Sequence, residues 1–128
     1  MEKTILIDNK EVRMKASALV PRLYRYRFNR DMISDMRQLQ KAFRKATSLP
    51  KDATEEEIQD AQLSVLDLTI FENVAYVMAK HADKTVADDL ESWLDGFEMF
   101  SIYEVLPHIL ELWGMSQQTT SVAKKNSV

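Results

Sequence analysis

A chain of 128 residues with 45% hydrophobic and 29% charged side chains has the size and composition of one globular domain, large enough to bury a core without staples. The absence of cysteine excludes disulfides, thiolate metal sites and cysteine nucleophiles, and two glycines, Gly96 and Gly114, are too few for a phosphate-cradling loop or a dinucleotide fingerprint. The start MEKTILIDNK is too short and too charged for a signal peptide, and no apolar run approaches the roughly 18 residues of a membrane helix, so a soluble protein with no visible export signal is expected.

The net charge of −3 conceals a division along the chain. Residues 13–51 hold eleven Lys and Arg against two Asp, a net of +9, whereas residues 52–118 hold fifteen acids against Lys80 and Lys84, a net of −13. Such a split suits nucleic-acid binding, head-to-tail self-association, or two halves that dock on each other.

Thr4 to Ile7, the Asp8-Asn9-Lys10 turn and Glu11 to Lys15 predict a short hairpin. Two strands alone are marginal in water, so this hairpin must lean on helices. Ser17 is placed to cap a helix running to about Asn29, with Pro21 near its first turn and Leu19, Leu23 and Tyr26 facing inward. Asp31 then opens a second helix whose Met32, Met36, Leu39, Phe43 and Ala46 fall on one stripe. Thr47-Ser48-Leu49-Pro50 breaks it.

The stretch 54–81 predicts the central helix. Thr54 and Glu57 form a capping box, Glu55 to Glu57 suit the positive end of the dipole, and from Val65 onward apolar residues cover most of the wheel. A helix apolar on most of its circumference must be wrapped by others. Thr85 with Asp88 suggests a further helix through Val86, Leu90, Trp93, Leu94 and Phe97, with Gly96 as a left-handed stop. Ser101 with Glu104 suggests the last, through Ile102 to Trp113, with a kink or restart at Pro107 and a close at Gly114. The expected fold is therefore α+β and predominantly α: an N-terminal hairpin packed on about five helices around helix 54–81. Residues 1–115 form the domain and 116–128 a flexible polar tail.

Little in the chain points to catalysis. His81 with Asp83, or Glu104, His108 and Glu111 on successive turns, offers metal ligands, but the paired Glu-x-x-His motifs of bundle di-metal sites are lacking, so neither metal nor cofactor is expected. No acid or base is singled out by spacing, and a non-enzymatic protein is expected. The basic segment 13–51, with Tyr24 and Tyr26 among its arginines, is the best nucleic-acid candidate and supports an alternative reading as a regulator. Against it, those tyrosines suit a core and the acidic half would repel a polyanion. Trp93, Phe97, Phe100, Tyr103 and Trp113, together with Leu106, are core residues by default, and they are also the best place for an exposed apolar patch that binds a partner.

The run ESWLDGFEMFSIYEVLPHILELW, preceded by LDLTIFENVAYVMAKHAD and by ALVPRLYRYRFNRDMISDM, and followed by a polar tail ending in AKKNSV, resembles the tail assembly chaperones of long, non-contractile-tailed phages and prophages of Gram-positive bacteria. The resemblance covers nearly the whole chain. It implies a chaperone that escorts the tape measure protein in the host cell cytoplasm, helps tail tube subunits polymerise around it, and is absent from the mature virion. It also implies a longer product of ribosomal frameshifting that reaches the tail tube protein. Lys124, Lys125 and Asn126 are compatible with an adenine-rich slippery run, and equally with a plain solubilising tail. Self-association is compatible with the divided charge; nucleic-acid and membrane partners are not expected. Assembly chaperone, nucleic-acid-binding regulator and enzyme all stay open from the residues alone.

Overall fold

The computed structural model describes residues 1–115, so the tail and the Lys124 to Asn126 position lie outside the described residues. The order is β1 (Glu2–Ile7), β2 (Lys10–Lys15), α1 (Val20–Phe28), α2 (Met32–Thr47), α3 (Glu55–Asp60), α4 (Val65–Ala82), α5 (Leu90–Asp95) and α6 (Ile102–Leu112). The fold is α+β rather than all-helical, with one antiparallel hairpin and six helices among the described residues.

The hairpin is joined by a two-residue turn in which Asp8 and Asn9 both adopt positive φ, 55° and 63°. Asn and Asp tolerate that region, and the twist of such a turn matches that of the strands it joins. The resulting register opposes Ile5 to Val12 and Lys3 to Met14. Ile5, Ile7 and Met14 are buried, because β2 lies against α4 and β1 against α6. Lys3 pairs with Glu111, and the Asp8 carboxylate accepts from the Glu98 amide at 3.0 Å, so both ends of the hairpin are tied to helical segments.

The single helix expected over 54–81 is two helices. The Thr54 and Glu57 capping box is present, but α3 stops at Asp60, and a second box, Ser64 with Asp67, starts α4. Ser64 Oγ accepts from the Asp67 amide at 3.0 Å and Asp67 Oδ2 from the Ser64 amide at 2.9 Å. That reciprocal pair satisfies the orphan donors of a new N-terminus inside what reads as one apolar run. The burial pattern follows: α3 buries none of its residues, whereas Ile70, Phe71 and every residue from Asn73 to Ala79 in α4 are buried. Leu66 is exposed, as are Val65 and Leu68, whereas Asp67 in the same turn is buried and accepts from Gln38 of α2 at 3.3 Å.

Further expectations are corrected. In α1 the inward tyrosine is Tyr24, fully buried with its hydroxyl donating to Asp35, while Tyr26 is 91% exposed; helix formation begins at Val20 rather than after Ser17. Gly96 is right-handed at φ −76°, and it is Gly114, at φ 68°, that closes α6, with the Met115 amide reaching back to the Leu110 carbonyl at 2.7 Å. Helix α6 continues across Pro107 without a restart, and its Ser101 makes no side-chain cap. Pro107 stands on the exposed face, where solvent can satisfy the carbonyl of Tyr103 that the missing amide leaves free. Helix α5 is capped by Asp89, which accepts from the Ser92 amide at 2.9 Å, rather than by Thr85, whose amide and hydroxyl turn to Asp83.

Candidate functional site

The aromatic residues of α5 and of the segment between α5 and α6 form one ring cluster rooted on the central helix. Trp93, from α5, is buried and meets Tyr76 at 5.6 Å, Phe97 at 5.3 Å and Phe100 at 5.3 Å between ring centroids. Phe100 in turn stacks on Phe71 at 5.0 Å and 27°. Edge-to-face and offset contacts of this kind add to area burial and fix the rings in place. Lys10, from the start of β2, donates to the Gly96 carbonyl and holds its ammonium 5.5 Å from the Phe97 centroid, so the hairpin clamps the same segment from outside.

The six residues expected to bind a partner therefore divide. Leu106 is fully buried and Trp93 nearly so, and neither can touch a partner without opening the domain. Phe97, Phe100 and Trp113 are partly buried, and the Trp113 indole N–H donates to Met78 Sδ at 3.3 Å. Tyr103, in the first turn of α6, is 57% exposed, with its ring 5.9 Å from that of Phe43 on α2. Met99, outside that set, is 69% exposed and sits between Phe97 and Phe100 in the chain. Its signal was weak in the sequence, because a lone methionine between two phenylalanines fits a core as well as a surface. What this segment leaves exposed is thus Met99, next to Phe100 in the chain, and Tyr103, whose ring lies by Phe43 of α2.

The basic half contains a buried polar cluster beneath its exposed charges. Asp35 on α2 is buried and receives the Tyr24 hydroxyl at 2.7 Å and the Arg30 guanidinium twice, at 2.8 Å and 2.9 Å. Burial alone would raise the Asp35 pKa, but the hydrogen bonds from Arg30 and Tyr24 and the Arg30 charge outweigh it and hold the carboxyl below its ordinary value. Burial, reinforced by Asp35, pushes the Tyr24 phenol well above its ordinary range. This is structural chemistry: an anchored carboxylate joins the two basic helices.

Of the possible metal ligands, His81 Nε2 lies 3.0 Å from Ser17 Oγ, and burial beside Lys15 and Lys84 keeps its imidazole below its ordinary pKa. Among the described residues no three His, Asp or Glu side chains are grouped to hold a metal ion, and no helix is long and apolar enough to cross a membrane. No family model, curated protein or solved structure matches the chain.

Proposed function

We propose that this protein is a non-enzymatic phage tail assembly chaperone that binds the tape measure protein through the surface of Met99 and Tyr103. The observation that carries the reading is that the segment bearing the resemblance, ESWLDGFEMFSIYEVLPHILELW, leaves Met99 and Tyr103 exposed, Met99 next to the ring-packed Phe100 in the chain and Tyr103 with its ring by Phe43 of α2. A tape measure is a long helical chain whose apolar stripe aggregates when bare, and a helix with an apolar face is received by a preformed apolar surface. Pre-organisation matters because a surface that needs no ordering loses less on binding. The acids around it, Asp95, Glu98 and Glu104, are exposed and keep the complex dispersed. In this reading the protein acts in the host cell cytoplasm and leaves before the virion matures, and a longer frameshift product brings in the tail tube protein.

Co-expression with a tape measure protein that is insoluble alone tests it. The chain should bring the partner into the soluble fraction, and Met99→Asp with Tyr103→Asp should abolish that while the thermal unfolding of the chain alone stays unchanged. No rescue by the unsubstituted chain would contradict the proposal.

A regulator reading has one observation in its favour: Arg22, Arg25, Arg37, Lys41 and Arg44 are exposed on α1 and α2, which pack together with Asn29 in the left-handed position of the turn. Duplex DNA affinity that falls steeply between about 50 mM and about 200 mM salt would support it.

A further inference from the structure

A second feature lies away from the aromatic face. Between α1 and the last turns of α4 the surface opens into a cleft of about 600 Å³. Leu19, Leu23 and Val77 give it an apolar wall, and Lys15, Arg27, Lys80 and Lys84 line it with positive charge. No carboxylate lines it. At the rim Asp88 pairs with Lys80 at 2.9 Å, a contact that leaves Lys15 and Lys84 uncompensated, and Asp83 is turned to Thr85.

At the other end of α4 stands a helix of matching character. Helix α3 buries none of its residues, carries Glu55, Glu56, Glu57 and Asp60, and exposes Ile58 at 45%. Its Glu57 is committed to the capping box, and the other three acids flank Ile58. Its end lies beside Lys41 and Lys45 of α2 and the start of α4. From Ser64 to Val77 is about 20 Å along the helix axis at 1.5 Å per residue, so α3 cannot reach the cleft of its own chain.

We infer that the cleft receives α3 of a second copy, with Ile58 entering against Leu19 and Leu23 and the acids of α3 meeting Lys15 and Lys84. Because donor and acceptor lie at opposite ends of one molecule, the contact is heterologous, and repeating it builds an open array rather than a two-fold dimer. A helix of six residues buries less surface than a standard stable interface, so the contact is weak and salt-dependent. This inference does not rest on the chaperone reading.

Sedimentation of the full chain tests it. Weight-average mass should rise between about 10 µM and about 1 mM protein at low salt, and fall back toward the monomer as salt is raised to about 500 mM. Leu19→Glu with Lys84→Glu removes the acceptor, and Ile58→Asp removes the donor; all three positions are exposed, so unchanged circular dichroism and melting confirm the fold. Each variant alone should stay monomeric, and a mixture of the two should give a 1:1 pair that does not grow, since one intact donor meets one intact acceptor. A wild-type chain that is monomeric throughout overturns the inference. So does a mixture that grows without limit or stays monomeric. Loss of association in the cleft variant but not in Ile58→Asp also overturns it, and assigns the cleft to another acidic occupant.

Discussion

Phe71→Ala should destabilise the protein by about 3–5 kcal/mol, close to the limit that a domain of this size tolerates. Phe71 is 1% exposed, stacks on Phe100, and with Tyr76 is one of two rings through which α4 holds the aromatic cluster that follows from α5. Truncation removes the transfer free energy of a ring and leaves a cavity bounded by other fixed rings, which cannot collapse into it. Val74→Ala, in the same buried run, should cost about 1–3 kcal/mol, and Val65→Ala, at an exposed position, less than about 0.5 kcal/mol. Chemical denaturation measures all three. A Phe71→Ala cost below about 1 kcal/mol would show that the Phe71 contact does not carry the cluster.

Asp35→Ala should cost about 2–4 kcal/mol, since it leaves the buried Tyr24 hydroxyl without its acceptor and Arg30 without its counter-charge. The lower part of that range reflects Arg30, which is half exposed and rehydrates readily. Asp35→Asn keeps an acceptor and should cost less, on the order of 1–2 kcal/mol. The pH dependence separates charge from shape. The folded pKa of Asp35 is depressed, so the carboxylate's contribution is present above the unfolded value near 3.8 and is lost as pH falls through the folded value. The stability gap between wild type and Asp35→Asn should therefore be full at pH near 7 and narrow below 3.8. At the alkaline end the raised Tyr24 pKa makes its contribution present below 10.0 and progressively lost above it. A gap that does not change with acid would mean that the pair contributes through packing alone.

The parts of this fold legible in the sequence are those set by neighbours in the chain. The Asp8-Asn9 turn, the Met32 to Phe43 stripe and the Thr54 capping box are local patterns with local causes, and each appears where its pattern lies. The break before Ser64 is equally local, yet it was hidden because an S-x-x-D box looks ordinary inside an apolar run, and only the unburied α3 makes it visible. Tyr24 and Tyr26 could not be distinguished, since either fits a helical stripe and it is Tyr24 whose hydroxyl finds the buried Asp35 of α2. The candidate surface was legible as a segment and not as a face. Which of its rings turn outward depends on contacts with Phe71, Tyr76 and Lys10, all distant in sequence. The basic cleft had no local signal, because Lys15 and Leu19 meet Val77 and Lys84 across some sixty residues; only the division of charge along the chain hinted at it.

The most direct test of the chaperone reading is amide hydrogen exchange on the full chain with and without a soluble helical segment of the tape measure protein. Binding should slow exchange across residues 97–106, the stretch that carries Met99 and Tyr103, and leave α1 unchanged. Protection confined to the basic faces of α1 and α2, or no protection at saturating segment, would contradict it.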